Sequence, residues 1–541
     1  MSALKKQRIA AGDGEIEKKF AQGQRLQARE RFAEAEQRYR KVLAQDPRHL
    51  GALTGLTQSL IAQMRPQEAI ATLDRAAAGA PADDEVWLFE LAGICTTVKY
   101  LQLARTLYER ALEIAPDMSS SLINLANVVE EQGDLQKGID LLSHAIEVHP
   151  TSARAYGNLG KMLTGTRLRD EALACYRRSI ELNPNISQTW TNLAALYEIM
   201  GRHREALETL QQALNLDPDC DAARWNLARS LLTVGEIEAG WDMYGFGFSC
   251  RERKPYRPFP GLIWEGQDLT DKTIMVWREQ GLGDDLLFST CYTDLIARAG
   301  HVIIETEQRL VSLYQRTWPQ ATVRAETWTS TGLENYGPVD FDYTAPAGLV
   351  AAQLRRKLSD FPAPLPGLKP DPVRVAECRA WLDSLGRGPN IGISWTSHKI
   401  DDVRSMSYTK LADWKGLFAI EGAAVVNLQY TDISEEAEAL RQQHGLTLQR
   451  MPGLDLRNDL EGVAALTACM DAVVAPSSFP MMMAGALGRP AFHYIRRNWT
   501  MLGTDGSPWF PEMRCYLIED VAASTEFLDR IVADVAALLL S

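Results

Sequence analysis

Small, apolar and proline positions return along the first half of the chain with a period of 34 residues. Pro47, Pro81, Pro116, Pro150, Pro184 and Pro218 stand 34, 35, 34, 34 and 34 residues apart. At the eighth position of successive units are Gly23, Thr57, Ala92, Ala126, Gly160, Ala194 and Ala228, and at the twentieth Ala35, Ala69, Ala104, Gly138, Ala172, Ala206 and Gly240. Tyr39, Tyr108, Tyr176 and Tyr244 recur at the twenty-fourth. Helix-forming runs such as Glu171-Ala172-Leu173-Ala174-Cys175-Tyr176 precede each proline. Small residues where two helices must approach, with apolar residues at helical spacing, predict stacked helix pairs over residues 16–245, about seven units after a tail of residues 1–15. No unit of this kind buries its apolar face alone, so the units stack.

The period ends near Tyr244. Residues 246–270 carry Arg251, Arg253, Lys254, Pro255, Pro258 and Pro260 among aromatics and read as a linker. Alternation then begins: strand 273–277, helix 284–298, strand 301–305, helix 308–317 and strand 321–325. The run Phe361-Pro362-Ala363-Pro364-Leu365-Pro366 marks a boundary, so one lobe covers 271–375 and a second 376–541. In the second, strands are expected at 390–395, 424–429, 471–475 and 490–494, with helices at 411–420, 435–444, 459–470, 480–487 and 524–540. Strands alternating with helices predict two doubly wound, Rossmann-like lobes with a cleft between them.

The chemistry is expected at Gln280-Gly281-Leu282-Gly283-Asp284-Asp285, between the strand ending at Trp277 and a helix. Gly281 and Gly283 allow positive φ and close approach of a ligand. The stretch is neither a dinucleotide fingerprint, since Leu286 stands at the third glycine position, nor a Walker loop. A phosphate here meets two like charges, so the helix start is expected to hold the carboxylates themselves ionised. An ionised Asp284 in an open cleft is a general-base candidate. The same residues also make an ordinary tight turn with an aspartate cap, and the pattern alone leaves both readings open.

The net charge of −13 argues against general nucleic-acid binding, which needs a basic face. Eight scattered cysteines form no metal-ligand or redox motif and read as reduced thiols. With no long apolar run and no signal-like start, a cytoplasmic location is expected. Asn124, Asn158, Asn192 and Asn226 recur at the sixth position of successive units. Each offers donors and acceptors, so such a row can hold an extended acceptor backbone; solvation or a helix-contact role is the alternative.

The 34-residue units resemble tetratricopeptide repeats. Gly281-Leu282-Gly283-Asp284, Ile391-Gly392-Ile393-Ser394-Trp395, Ala484-Gly485-Ala486-Leu487-Gly488-Arg489-Pro490 and Ser507-Pro508-Trp509-Phe510 together resemble heptosyltransferase-like GT-B glycosyltransferase domains. The combination is similar in plan to flagellin glycosyltransferases and protein O-GlcNAc transferases. The resemblance implies an all-α tetratricopeptide superhelix followed by α/β lobes of GT-B type, and an enzyme moving a sugar from a nucleotide-activated donor to serine or threonine hydroxyls of a protein, flagellin being the suggested acceptor. It suggests a donor that is CMP-nonulosonic acid or a nucleoside-diphosphate sugar; no metal or other cofactor is expected, since no Asp-x-Asp motif follows a strand in this half.

By the same resemblance Asp284 is the base and Ser478 binds donor phosphate, with Ser477, Ser394, Gly281 and Gly283 in the donor site. The family's usual histidine, four residues after its phosphate-binding hydroxyl, is here Met482. The loop after the strand at 390–395 adds Lys399 and Arg404, cations suited to a leaving phosphate, and His398 as an auxiliary acid or phosphate ligand; a solvated charged loop is the alternative. His398 is expected to be the one histidine beside other candidate groups. Two rival readings keep the same sequence: a repeat scaffold with a degenerate catalytic half, and a transferase acting on a saccharide or lipid.

Overall fold

In a computed structural model of the chain, the described residues are 3–257, 259, 261–326, 339–362, 367–386, 388–397, 402–521 and 525–540, with side chains from residue 14 onward except those of 402 and 403. They form two compact units, Met1–Asn185 and Ile186–Ser541. The first consists of repeat helices, among them Phe32–Leu43, Leu50–Ala62, Pro66–Ala78, Glu85–Thr97, Leu101–Ile114, Ser119–Glu131, Leu135–Val148, Ala153–Thr164 and Arg169–Leu182, each packed on the next. The small positions have the steric reason expected of them. A Cβ on Gly160 falls 2.9 Å from the ring of Tyr176, which is itself buried.

The second unit begins with the last repeat helices, Ser187–Ile199, His203–Leu216, Asp221–Val234 and Ile237–Met243, and continues into two five-stranded parallel sheets. The first sheet comprises β1 (Leu262–Ile263), β2 (Thr273–Trp277), β3 (His301–Thr306), β4 (Thr322–Ala325) and β5 (Tyr343–Pro346), in the order β1-β5-β2-β3-β4. The second comprises β6 (Asn390–Ile393), β7 (Ala424–Asn427), β8 (Ala472–Ala475), β9 (Ala491–Ile495) and β10 (Met513–Leu517), in the order β10-β9-β8-β6-β7. Central strands such as β8 are buried along their whole length, as parallel sheets covered on both faces require. The chain is therefore helical repeats followed by an α/β region with parallel sheets.

Three strands have no counterpart in the sequence reading: β1, β10 and β5. The last lies inside the first sheet, between β1 and β2, where Met275 pairs with Thr344. With four residues, fully buried Thr344 and Ala345, and a terminal proline, it offers neither alternation nor length. The helix expected over 284–298 is two, Leu282–Ser289 and Tyr292–Ile296, separated where Thr290 Oγ1 donates back to the Leu287 carbonyl (2.8 Å).

The repeat helices of the second unit share a core with the sheets. Trp225, Leu232, Trp241 and Tyr244 belong to one buried cluster with Ile274, Leu286, Leu502 and Trp509. Trp241 Nε1 donates to the Arg355 carbonyl at 2.9 Å in a buried setting. The stretch read as a linker is tied in as well. Arg253 is buried between the rings of Tyr244 and Phe248, with its Cζ 4.0 Å from each centroid, and its Nε donates to Glu279 Oε2 at 2.7 Å. Among the described residues no helix is long and apolar enough to cross a membrane.

Candidate functional site

The turn after β2 is fixed from beneath. Glu279 is fully buried, ion-paired with Arg253, and accepts the Gly348 N–H at 2.7 Å. Gln280 carries the positive φ of the turn (58°), whereas Gly281 has φ −91°. The expected positive φ at the glycines is thus displaced by one residue, because the buried Glu279 anchor sets where the chain reverses. What the second glycine provides is proximity: a Cβ on Gly283 lies 3.4 Å from Met482 Cγ, on the helix that follows β8 of the other sheet. Gly281 caps the helix Leu282–Ser289, and its N–H donates to Asp284 Oδ2 at 3.1 Å.

The two aspartates diverge. Asp284 faces a cleft of about 720 Å³, while Asp285 is fully buried and accepts from Thr306 Oγ1 at 2.5 Å. The helix start lowers neither carboxyl below the ordinary aspartate value, since burial acts in the opposite direction. Burial raises Asp284 to about 6, against the lowering effects of the Gly281 N–H and Arg404. Burial likewise raises Asp285 to about 7, against Thr306 and Arg278. Loss of hydration outweighs one backbone hydrogen bond and a partial helix charge. For Asp284 the result is a stronger base than an exposed aspartate.

Across the cleft, Ser477 and Ser478 follow the end of β8 after Pro476. Ser478 is 7% exposed, N-caps the helix Phe479–Ala486 in an extended conformation, and makes no side-chain cap bond. Its Oγ has no hydrogen-bond partner among the described residues. The first-turn N–H groups of such a helix lack intrahelical acceptors, so hydroxyl and amides converge on a place suited to an anion. Met481 and Met483 are fully buried core residues, whereas Met482 lines the cleft.

Of the residues singled out from the sequence, Gly281, Gly283, Asp284, Arg404, Ser477 and Ser478 all border this one cleft. Ser394 does not. It is fully buried and its Oγ donates to Gln429 Oε1 at 2.8 Å, supporting the strand end from below. His398 and Lys399 lie outside the described residues. The four asparagines are half-buried on their helices; Asn124 donates to the Tyr108 hydroxyl (3.3 Å) and Asn192 accepts from Gln188 (2.9 Å), so these two already have local partners.

Sequence reasoning missed His493 and three further arginines. His493, on β9, is buried, and its Nε2 lies 3.0 Å from Ser477 Oγ. Burial lowers its pKa to about 3, so it stays neutral, accepts or donates one hydrogen bond, and orients Ser477 without serving as a proton acceptor for it. It is a second histidine beside a candidate group, and its signal was only a polar residue in an apolar strand. Arg229, Arg309 and Arg457 also border the cleft. Arg309 follows the end of β3, a position that parallel-sheet geometry makes suspect, and it pairs with Glu307 at 2.9 Å. Arg229 comes from the repeat helix Asp221–Val234, and nothing local marks it.

Helical repeats leading into an α/β region with a cleft at the strands' carboxyl ends define the class of protein, and the repeats are of a recognised kind. Models of the tetratricopeptide repeat match residues 26–90 and 151–219, so the chain carries tetratricopeptide repeats. Protein FlbA of Caulobacter vibrioides (strain ATCC 19089 / CIP 103742 / CB 15) is 36% identical over 306 residues, 54% of this chain and 51% of that protein. The chain thus spans about half the length of this relative. Among solved structures, a tetratricopeptide repeat protein from Parabacteroides merdae is 18% identical, with 43% of this chain and 92% of that one covered at a TM-score of 0.35. MamA is 20% identical, covering 30% of this chain and 94% of its own at a TM-score of 0.26.

Proposed function

We propose that the chain is a GT-B glycosyltransferase that moves a sugar from a nucleotide-activated donor to serine or threonine hydroxyls of a protein, flagellin being the suggested acceptor. The observation that carries this reading is the apposition of Asp284 and the Ser478 helix start across one cleft, with Gly283 packed against Met482. A base and an anion cradle, from different lobes, then flank the space where an anomeric carbon sits.

In this reading Asp284 takes the hydroxyl proton as the acceptor oxygen attacks the anomeric carbon. The bond from that carbon to the donor phosphate oxygen breaks, and its electron pair leaves with the phosphate. Ser478, oriented Ser477, the amides of the Phe479–Ala486 helix and Arg404 stabilise that charge where it develops. With Asp284 at about 6, the base is mostly ionised at neutral pH yet retains more proton affinity than an exposed carboxylate. The donor is a CMP-nonulosonic acid or a nucleoside-diphosphate sugar, and the repeats hold the acceptor.

A nucleotide panel in thermal denaturation tests the donor site, since a ligand at about 100 times its Kd adds roughly 2.7 kcal/mol. Wild-type transfer should fall as pH drops through about 6, and Asp284→Asn should lose about 10²-fold or more at neutral pH. No response to any nucleotide favours the scaffold reading, and unchanged turnover in Asp284→Asn removes the aspartate from its role.

A further inference from the structure

A second cavity of about 390 Å³ opens off the cleft. Its walls are the repeat helices Ser187–Ile199 and Asp221–Val234, through Ala194, Ala195, Asn226 and Arg229, and the segment Arg496–Trp499 that follows β9. The two cavities share Arg229, Arg404, Ser407, Ser477, Asn498 and Trp499 at their junction, together with one apolar residue and no carboxylate. The carboxylate of the second cavity, Glu198, is engaged: it accepts from Ser230 Oγ (2.6 Å) and faces His203 Nδ1 (3.0 Å). Arg497 is paired with Asp505, and Arg496 donates to the Ile199 carbonyl. Arg229 differs. Its Cζ lies 6.0 Å from the Trp225 ring centroid, and its guanidinium makes no ion pair with another described residue.

We propose that this junction is a carboxylate site organised by Arg229, and that it reads an acidic side chain flanking the target hydroxyl of an extended acceptor segment. The inference rests on the glycosyltransferase reading, and it adds to that reading a specificity-determining residue supplied by the repeats. A guanidinium presents a fixed fork of donors matched to a carboxylate, and Ser407 borders the same junction. The occupant is assigned to the acceptor because the second cavity leads away from Ser478 and Asp284, neither of which borders it, along a repeat helix that carries Asn226. The Asn226 side chain is half-buried, makes no hydrogen bond to another described residue, and can pair with a backbone amide of that segment.

The experiment uses the full chain and a peptide library with a fixed central threonine and randomised flanks, bound peptides being identified by mass spectrometry. Wild type should enrich aspartate and glutamate at one flanking position by about two- to fivefold, the range of a partly exposed ion pair. Arg229→Ala should lose the preference and Arg229→Glu should turn it toward lysine and arginine, with circular dichroism unchanged. A flat library, or an acidic preference that survives Arg229→Glu, overturns the proposal. CMP and CMP-N-acetylneuraminic acid form the second arm, measured by calorimetry. If Arg229→Ala weakens only the acidic sugar nucleotide while the library is flat, the carboxylate belongs to the donor and the acceptor assignment falls. Thermal shifts with nucleotides in the same preparations separate the two levels: nucleotide binding with a flat library sinks this site alone, whereas failure of both sinks the glycosyltransferase reading too.

Discussion

Replacing Asp285 by asparagine should stabilise the protein, and by an amount that depends on pH. The side chain is fully buried, accepts from Thr306 at 2.5 Å, and leaves its other oxygen without a partner among the described residues. Burial raises it from the ordinary 3.8 to about 7, so the folded chain holds this proton more tightly than the unfolded chain. Folded-state stability attributable to Asp285 is therefore greatest at low pH, falls as pH rises from about 4 to 7, and is lowest above that window. At pH 8 a raised pKa of this size corresponds to roughly 4 kcal/mol of unfavourable ionisation, and at pH 5 to less than half of that. Asparagine stays neutral throughout, keeps an acceptor for Thr306, and presents an amide near the Tyr314 phenol, one of the groups acting on Asp285. Urea unfolding of the full chain, followed by tryptophan fluorescence at both pH values, measures the difference. A gain at pH 8 that shrinks toward pH 5 is expected. An Asp285→Asn protein equally destabilised at both would mean that its partners hold the carboxylate as an ion, and the same reasoning about burial at Asp284 would then fail with it.

Two further outcomes follow from the packing. A truncated chain starting at residue 186 should be soluble and monomeric by size exclusion, whereas one starting at residue 246 should aggregate. The latter uncovers Leu502 and Trp509, at 1% and 0% exposure, and deletes Trp241 and Tyr244, each buried side chain contributing about 1.5–3 kcal/mol; a stable monomer from 246 would refute a shared core. Ser478→Ala should weaken nucleotide binding by about tenfold while leaving the melting temperature of the free protein nearly unchanged, because its Oγ makes no bond within the described structure. Calorimetry and differential scanning measure the two effects, and a large loss of stability without loss of binding would make Ser478 a structural cap.

The sequence by itself determined whatever depends on local period. Six prolines at intervals of 34 or 35 residues and small residues facing recurrent tyrosines specify stacked helix pairs, because every unit repeats the same steric problem. Strands long and apolar enough to stand out, such as Thr273–Trp277 and Ala491–Ile495, were likewise legible, as were Gly283, Asp284 and the serine pair after β8. Only the tertiary structure decided the rest. Burial, a property of everything around a residue, raised both Asp284 and Asp285 where the helix start alone would lower them, and kept His493 neutral beside Ser477. It also removed Ser394 from the cleft and placed the short strand β5 between β1 and β2 inside a sheet. Arg229 shows the limit most directly. On its helix it is one more exposed residue of a repeat, and it borders the cleft only because the final repeats pack their tryptophans into the core beneath the sheets, a contact between segments far apart in the chain that no local pattern encodes.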